Sequence, residues 1–97
     1  MHVLAMQIEL RFPAAQSLKA KRALLRPIVD GGGHRFNVAL AEVDHQDTWQ
    51  RSSVGVSIGS ASATKADELM DEVERFVWSH PDLEVLSAER QWMEMET

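Results

Sequence analysis

Residues 3–12, "VLAMQIELRF", alternate strictly: Leu4, Met6, Ile8, Leu10 and Phe12 fall on one side, and Val3, Ala5, Gln7, Glu9 and Arg11 on the other. A period of two over that length specifies a strand with one face in a core and one face outside it. Such a strand is stable only inside a sheet whose apolar face is covered. The rest of the chain must therefore supply partner strands and a covering layer.

The covering layer comes first. "PAAQS" interrupts the strand at Pro13 and places Ser17 where its hydroxyl can cap a helix. The spacing predicts a helix from Leu18 to Val29, with Leu18, Leu25, Ile28 and Val29 as its apolar stripe, Leu24 beside them, and Lys19, Lys21, Arg22 and Arg26 outside it. Pro27 removes a backbone donor and is expected to kink or shorten the last turn. The triplet Gly31, Gly32, Gly33 is expected to end the helix and act as a mobile joint.

Two strands are predicted next, "RFNVALAEV" (35–43) and "QRSSVGVSIGS" (50–60), joined as an antiparallel hairpin through "DHQDTW". A second helix is predicted from Thr64 to Ser79, opened by the capping pattern "TKAD", with Leu69, Met70, Val73, Phe76 and Val77 inward. "SHPD" stops it, and "LEVLSAERQWME" supplies a last strand. The order β-α-β-β-α-β is the ferredoxin-like plait, an α+β fold with a four-stranded antiparallel sheet and two helices on one face.

At 97 residues the chain makes a single domain, 1–97, with no room for a second. No stretch approaches the ~20 apolar residues of a membrane span, so no membrane partner is expected. The opening "MHVLAMQIELRF" lacks an early Lys or Arg, carries Glu9, and reads as a strand rather than a signal peptide. Absence of cysteine removes disulfides, zinc–thiolate sites and thiol nucleophiles, and nothing argues for export, so a cytoplasmic location is expected; no cofactor and no metal are expected either. His2 and His34 are expected on exposed edges, Met93 and Met95 as packing or a frayed tail, and Trp78 and Trp92 in the core or an interface.

The crossover rule makes the first two strands parallel and the last two antiparallel to them. One end of the plait should then gather the exit of the first strand, the start of the basic helix, the "DHQDTW" tip and the turn containing His80. The triple glycine should lie at the other end.

"SLKAKR" (17–22), "RFNVALAEVDHQDTWQR" (35–51) and "VERFVWSHPDLEVL" (73–86) together resemble the YlxP-like family, small bacterial proteins classed as a domain of unknown function. The resemblance spans almost the whole chain and implies a ferredoxin-like fold. Genes of that family commonly sit among those for transcription elongation, translation initiation and ribosome maturation, which implies a role near RNA or the ribosome. The chain departs from the family pattern at "GGGH" and Pro27, near the end of the first helix.

Net charge is −5, but residues 11–35 carry +5 and the remainder −10. A basic segment of this kind fits an anionic partner, and it equally fits two helices complementing each other on a solvated surface. The candidate anion-binding residues are Ser17, Lys19, Lys21, Arg22, Arg26 and Arg35: a helix start offers free N–H groups and the side chains add positive charge, a combination suited to phosphate. The tip and its surroundings, Asp44, His45, Asp47, Trp49, Arg51 and His80, form a second candidate. Asp44, His45, Asp47 and His80 are possible metal ligands or an acid–base set. The competing reading has the aspartates bonding turn N–H groups and pairing with Lys19, Lys21, Arg22 or Arg51, while Trp49 covers the helix start. "GGGH" is not a phosphate loop, since it lacks Gly-Lys-Ser/Thr and precedes a strand.

The outer sheet face is a third candidate. Ala5, Gln7, Ser53, Gly55, Ser57 and Gly59 make it small and weakly polar, without aromatics on which bases could stack. Either a second copy packs there as a homodimer or the glycines mark bulges in a solvated sheet. Three functions follow from these features: a non-enzymatic accessory protein binding RNA or a ribosomal particle, a homodimeric protein–protein module, and an enzyme at Asp44, His45 and Asp47. The first is the reading preferred from the sequence.

Overall fold

A computed structural model describes residues 1–95. The elements are β1 (His2–Arg11), α1 (Leu18–Phe36), β2 (Ala39–Asp44), β3 (Arg51–Ser60), α2 (Ala63–Trp78) and β4 (Glu84–Glu94). The strands form one antiparallel sheet in the order β2-β3-β1-β4. This is the expected plait.

The alternation of β1 is realised in full. Leu4, Met6, Ile8 and Leu10 lie in the core with Phe12 just beyond, opposite Ile58, Val56 and Val54 of β3. α2 meets them with Ala66, Met70, Val73 and Val77, a stripe of spacing four, three and four. Its cap is Ser62, whose hydroxyl accepts from the Lys65 N–H at 3.2 Å, so the helix begins one residue before the expected Thr64. No helix among the described residues is long and apolar enough to cross a membrane.

The first helix corrects the sequence reading most. α1 runs through Pro27 and all three glycines to Phe36, so the triplet is neither terminus nor joint, and Arg35 and Phe36 belong to the helix rather than to β2. None of the glycines takes a positive φ. The helix ends at Asn37, which adopts the left-handed conformation at φ 54°, and the next N–H, of Val38, reaches back to the Gly33 carbonyl at 3.3 Å. Tertiary contact overrides poor propensity here. Phe36 packs edge-on against Phe76 of α2, with centroids 5.5 Å apart, and the Arg35 guanidinium lies over both rings at 5.2 and 5.5 Å. Gly32 sits beneath Leu40 and Phe76, where a Cβ would lie 3.0 Å from each side chain.

Candidate functional site: the hairpin tip and the α1 face

The apolar stripe of α1 contains a lysine. Lys21 is fully buried together with Leu25, Ile28 and Gly32, at helical spacings of four, three and four. Its Nζ donates to the carbonyls of His45 (2.7 Å), Arg51 (3.2 Å) and Gln46 (3.4 Å), and to Glu42 Oε2 (3.0 Å). Glu42 Oε2 also accepts from the buried Ser52 hydroxyl at 2.7 Å. Lys21 is therefore removed from the set of anion-binding candidates, because its ammonium is enclosed by oxygens inside the molecule. A buried charge persists only when paired and hydrogen-bonded, and these acceptors meet that requirement.

These bonds fix the roots of the "DHQDTW" tip. Asp44 Oδ1 accepts the His45 N–H at 2.7 Å, His45 takes the left-handed conformation at φ 62°, and its carbonyl closes a turn with the Thr48 N–H at 3.0 Å. Gln50 joins the tip to the segment before α1, its Nε2 donating to the Pro13 and Ala15 carbonyls and its own carbonyl accepting from Phe12. Gln46, Asp47, Thr48 and Trp49 are exposed at the tip. The partners differ from those expected for the aspartates: Glu42 takes Lys21, and Glu9 takes Arg51 at 3.5 Å.

Glu9 is the centre of a second polar group, on the outer face of the sheet. It accepts from the buried Ser53 hydroxyl at 2.5 Å and from Gln7 Nε2 at 3.0 Å, and His45 Nε2 stands 3.9 Å away. Burial by itself would raise the Glu9 pKa, but the two hydrogen bonds and the charges of His45 and Arg51 outweigh it and hold the carboxyl below its ordinary value.

His80 does not join the tip. Its Nδ1 donates to the Phe76 carbonyl at 2.8 Å and its ring stands edge-on to Phe76. Among the described residues, no group of three or more His, Asp or Glu could hold a metal ion. Trp78 and Trp92 are 58% and 41% exposed, so neither is a core residue of the chain.

On the solvent side of α1 the arrangement is different. Lys19, Arg22 and Arg26, at positions i, i+3 and i+7, are exposed and lie within about 60° of one another around the axis, over about 10 Å. Among the described residues none of the three enters an ion pair. Arg22 and Arg26 also border a shallow groove with Leu25, Val29, Asp30 and Glu42. Ser17 serves as the N-cap, its hydroxyl accepting from the Ala20 N–H at 3.0 Å. Arg35, stacked on its two rings in the last turn, is separated from this stripe.

The outer face is less bare than its sequence. Ser53 is 1% exposed with its hydroxyl committed to Glu9, and a Cβ on Gly55 would lie 2.9 Å from a Val43 methyl, which occupies that space. Both leave the set of freely accessible interface residues. Ala5, Gln7, Ser57 and Gly59 remain exposed. Sequence reasoning missed Glu9, Glu42 and Ser52, although Glu42 follows Leu40 at the inward spacing of β2 and Lys21 lies three residues after Leu18 and four before Leu25.

The sequence profile of the family described as "Protein of unknown function (DUF503)" matches residues 3–90. The chain belongs to this family. A relative from Bacillus subtilis (strain 168), "Uncharacterized protein YlxP", is 37% identical over 78 residues, covering 80% of this chain and 85% of the relative. The DUF503 chain is also similar in fold to two de novo designed proteins. Foldit4 has a TM-score of 0.53 at 15% identity, covering 97% of this chain and 99% of that one. LFR1 1, described as having a ferredoxin fold, has a TM-score of 0.52 at 10% identity, covering 98% and 88%. At such identities the designed proteins speak for the plait alone.

Proposed function

We propose that this protein is a non-enzymatic accessory factor that binds the phosphate backbone of RNA, free or within a ribosomal particle, along the exposed face of α1. The observation that carries the reading is the stripe Lys19, Arg22 and Arg26: three cations without carboxylate partners among the described residues, on a chain whose net charge is −5. Arg11, Lys21, Arg51 and Arg90 are neutralised by carboxylates, whereas Lys19, Arg22 and Arg26 are left together on one exposed face. Cations left free on one helix face are disposed toward an external anion. The role near RNA implied by the family resemblance points the same way.

Contacts of this kind read phosphate rather than base, and the outer sheet face offers no aromatic platform for stacking. Binding should therefore show little sequence preference. With three phosphate contacts, the slope of log affinity against log salt is about −2 on single-stranded RNA. The test is fluorescence anisotropy with a labelled RNA across a salt series, using the wild type and Arg22→Glu/Arg26→Glu, since charge reversal at Lys21 would disrupt the core instead. Loss of binding in the folded double variant is the expected result, and unchanged affinity refutes the proposal. Recovery from native lysate at low and high salt then identifies whether the RNA is ribosomal.

A further inference from the structure

The sheet has two free edges, and they differ. The β2 edge is six residues long, while β4 is eleven residues long and pairs with β1 on one side only. A long edge exposes a row of unpaired N–H and C=O groups that invites another strand, and proteins ordinarily block it with Pro, Lys or bulges. No Pro or Lys occurs in Glu84–Glu94. The register shift opposite Glu9/Leu10 leaves Leu86 as an extra residue in β4, a bulge confined to the start of the strand, and Ser87–Glu94 runs regularly beyond it for eight residues. The helix side of β4 carries the partly exposed Trp92 followed by Glu94, and Met93 on the outer side is 63% exposed.

We propose that β4 pairs antiparallel with β4 of a second copy, about a two-fold axis at Gln91, joining two sheets into one of eight strands. Of the axes from Ala88 to Gln91, the sequence of the edge selects the last. Opposite residues in an antiparallel pair share a face, so each choice of axis fixes every pair. An axis at Glu89 sets Glu89 against its own copy, an axis at Arg90 does the same with two guanidiniums, and an axis at Ala88 runs the pairing into the irregular segment. With the axis at Gln91 the central pair is two neutral amides, Glu89 faces the partner's Met93, and Ala88 faces the partner's Glu94. Arg90 then faces the partner's Trp92 on the helix side, a cation–π pair made twice. Arg90 is held on the helix side by Asp67 at 2.7 Å, Asp71 at 2.8 Å and Glu74 at 3.4 Å.

The test combines sedimentation velocity with oxidative cross-linking of the full chain, which has no cysteine of its own. Opposite strand residues have Cα atoms about 4.5–5.5 Å apart, within disulfide range. The wild type is expected to dimerise, and Gln91→Cys to form a disulfide-linked dimer. Glu89→Cys and Met93→Cys should cross-link with each other when mixed and not each with itself. Gln91→Glu should weaken the dimer about fivefold without altering circular dichroism, by placing like charges opposite each other. A monomer at every concentration overturns the proposal. So does a dimer that cross-links through Ser57→Cys on the outer face while Gln91→Cys stays reduced, or one that Gln91→Glu leaves intact.

Discussion

Replacing Lys21 by methionine tests the central claim about the tip, because methionine keeps most of the length of the stem and removes only the charge and its donors. Four acceptors lose their donor: Glu42 Oε2 and the carbonyls of His45, Gln46 and Arg51. Removing one member of a buried pair costs about 3–5 kcal/mol. The Glu42 side chain is 18% exposed and still bonded to Ser52, so it recovers some hydration and the lower figure applies. A loss of about 3 kcal/mol is a large part of the 5–15 kcal/mol that such domains possess, and corresponds to a fall in Tm of about 15 °C. Urea denaturation of Lys21→Met, Glu42→Gln and the double variant gives the numbers directly. The double variant should lose less than the sum of the singles, because the carboxylate no longer needs its partner. A cost below about 1 kcal/mol for Lys21→Met is what a solvated surface pair would give, and it would refute the enclosed-ammonium reading.

Two further outcomes can be measured in the same way. Gly31→Ala meets nothing within 4 Å and should stabilise α1 by about 0.5–1 kcal/mol, whereas Gly32→Ala forces Leu40 and Phe76 apart and should lose that gain or destabilise; equal effects in thermal melts would contradict the packing described. Because the Glu9 carboxyl titrates below its ordinary value in the fold, its contribution is present above that ordinary value and is lost as pH falls through the lowered one. Glu9→Gln should therefore show a shallower acid decline in stability, and parallel curves would dismiss the role assigned to Ser53 and Gln7.

β1, β3 and α2 were legible because each obeys a single period: β1 alternates along its whole length, and α2 repeats at four, three and four. α1 was half legible. Its glycines and proline argue locally for an end at Val29, whereas in the fold the last turns pack on Leu40 and on Phe76, the latter remote in sequence. The candidate site failed for a related reason. Lysine is read as solvated by default, yet Lys21 stood inside the stripe set by Leu18 and Leu25, and its partners lie 21 to 30 residues away, on a hairpin that composition alone does not place. Lys19, Arg22 and Arg26 needed no such information, since the stripe fixed their outward direction.

The enclosure of Lys21 also orders events in folding. Its four acceptors come from both arms of the hairpin and the turn between them, so none of the cage is complete while that hairpin is open. Until then the ammonium keeps its water, and α1 cannot settle its first turns against the sheet. Closing the hairpin and docking the first turns of α1 are thus coupled, since neither surrounds the ammonium with its acceptors without the other.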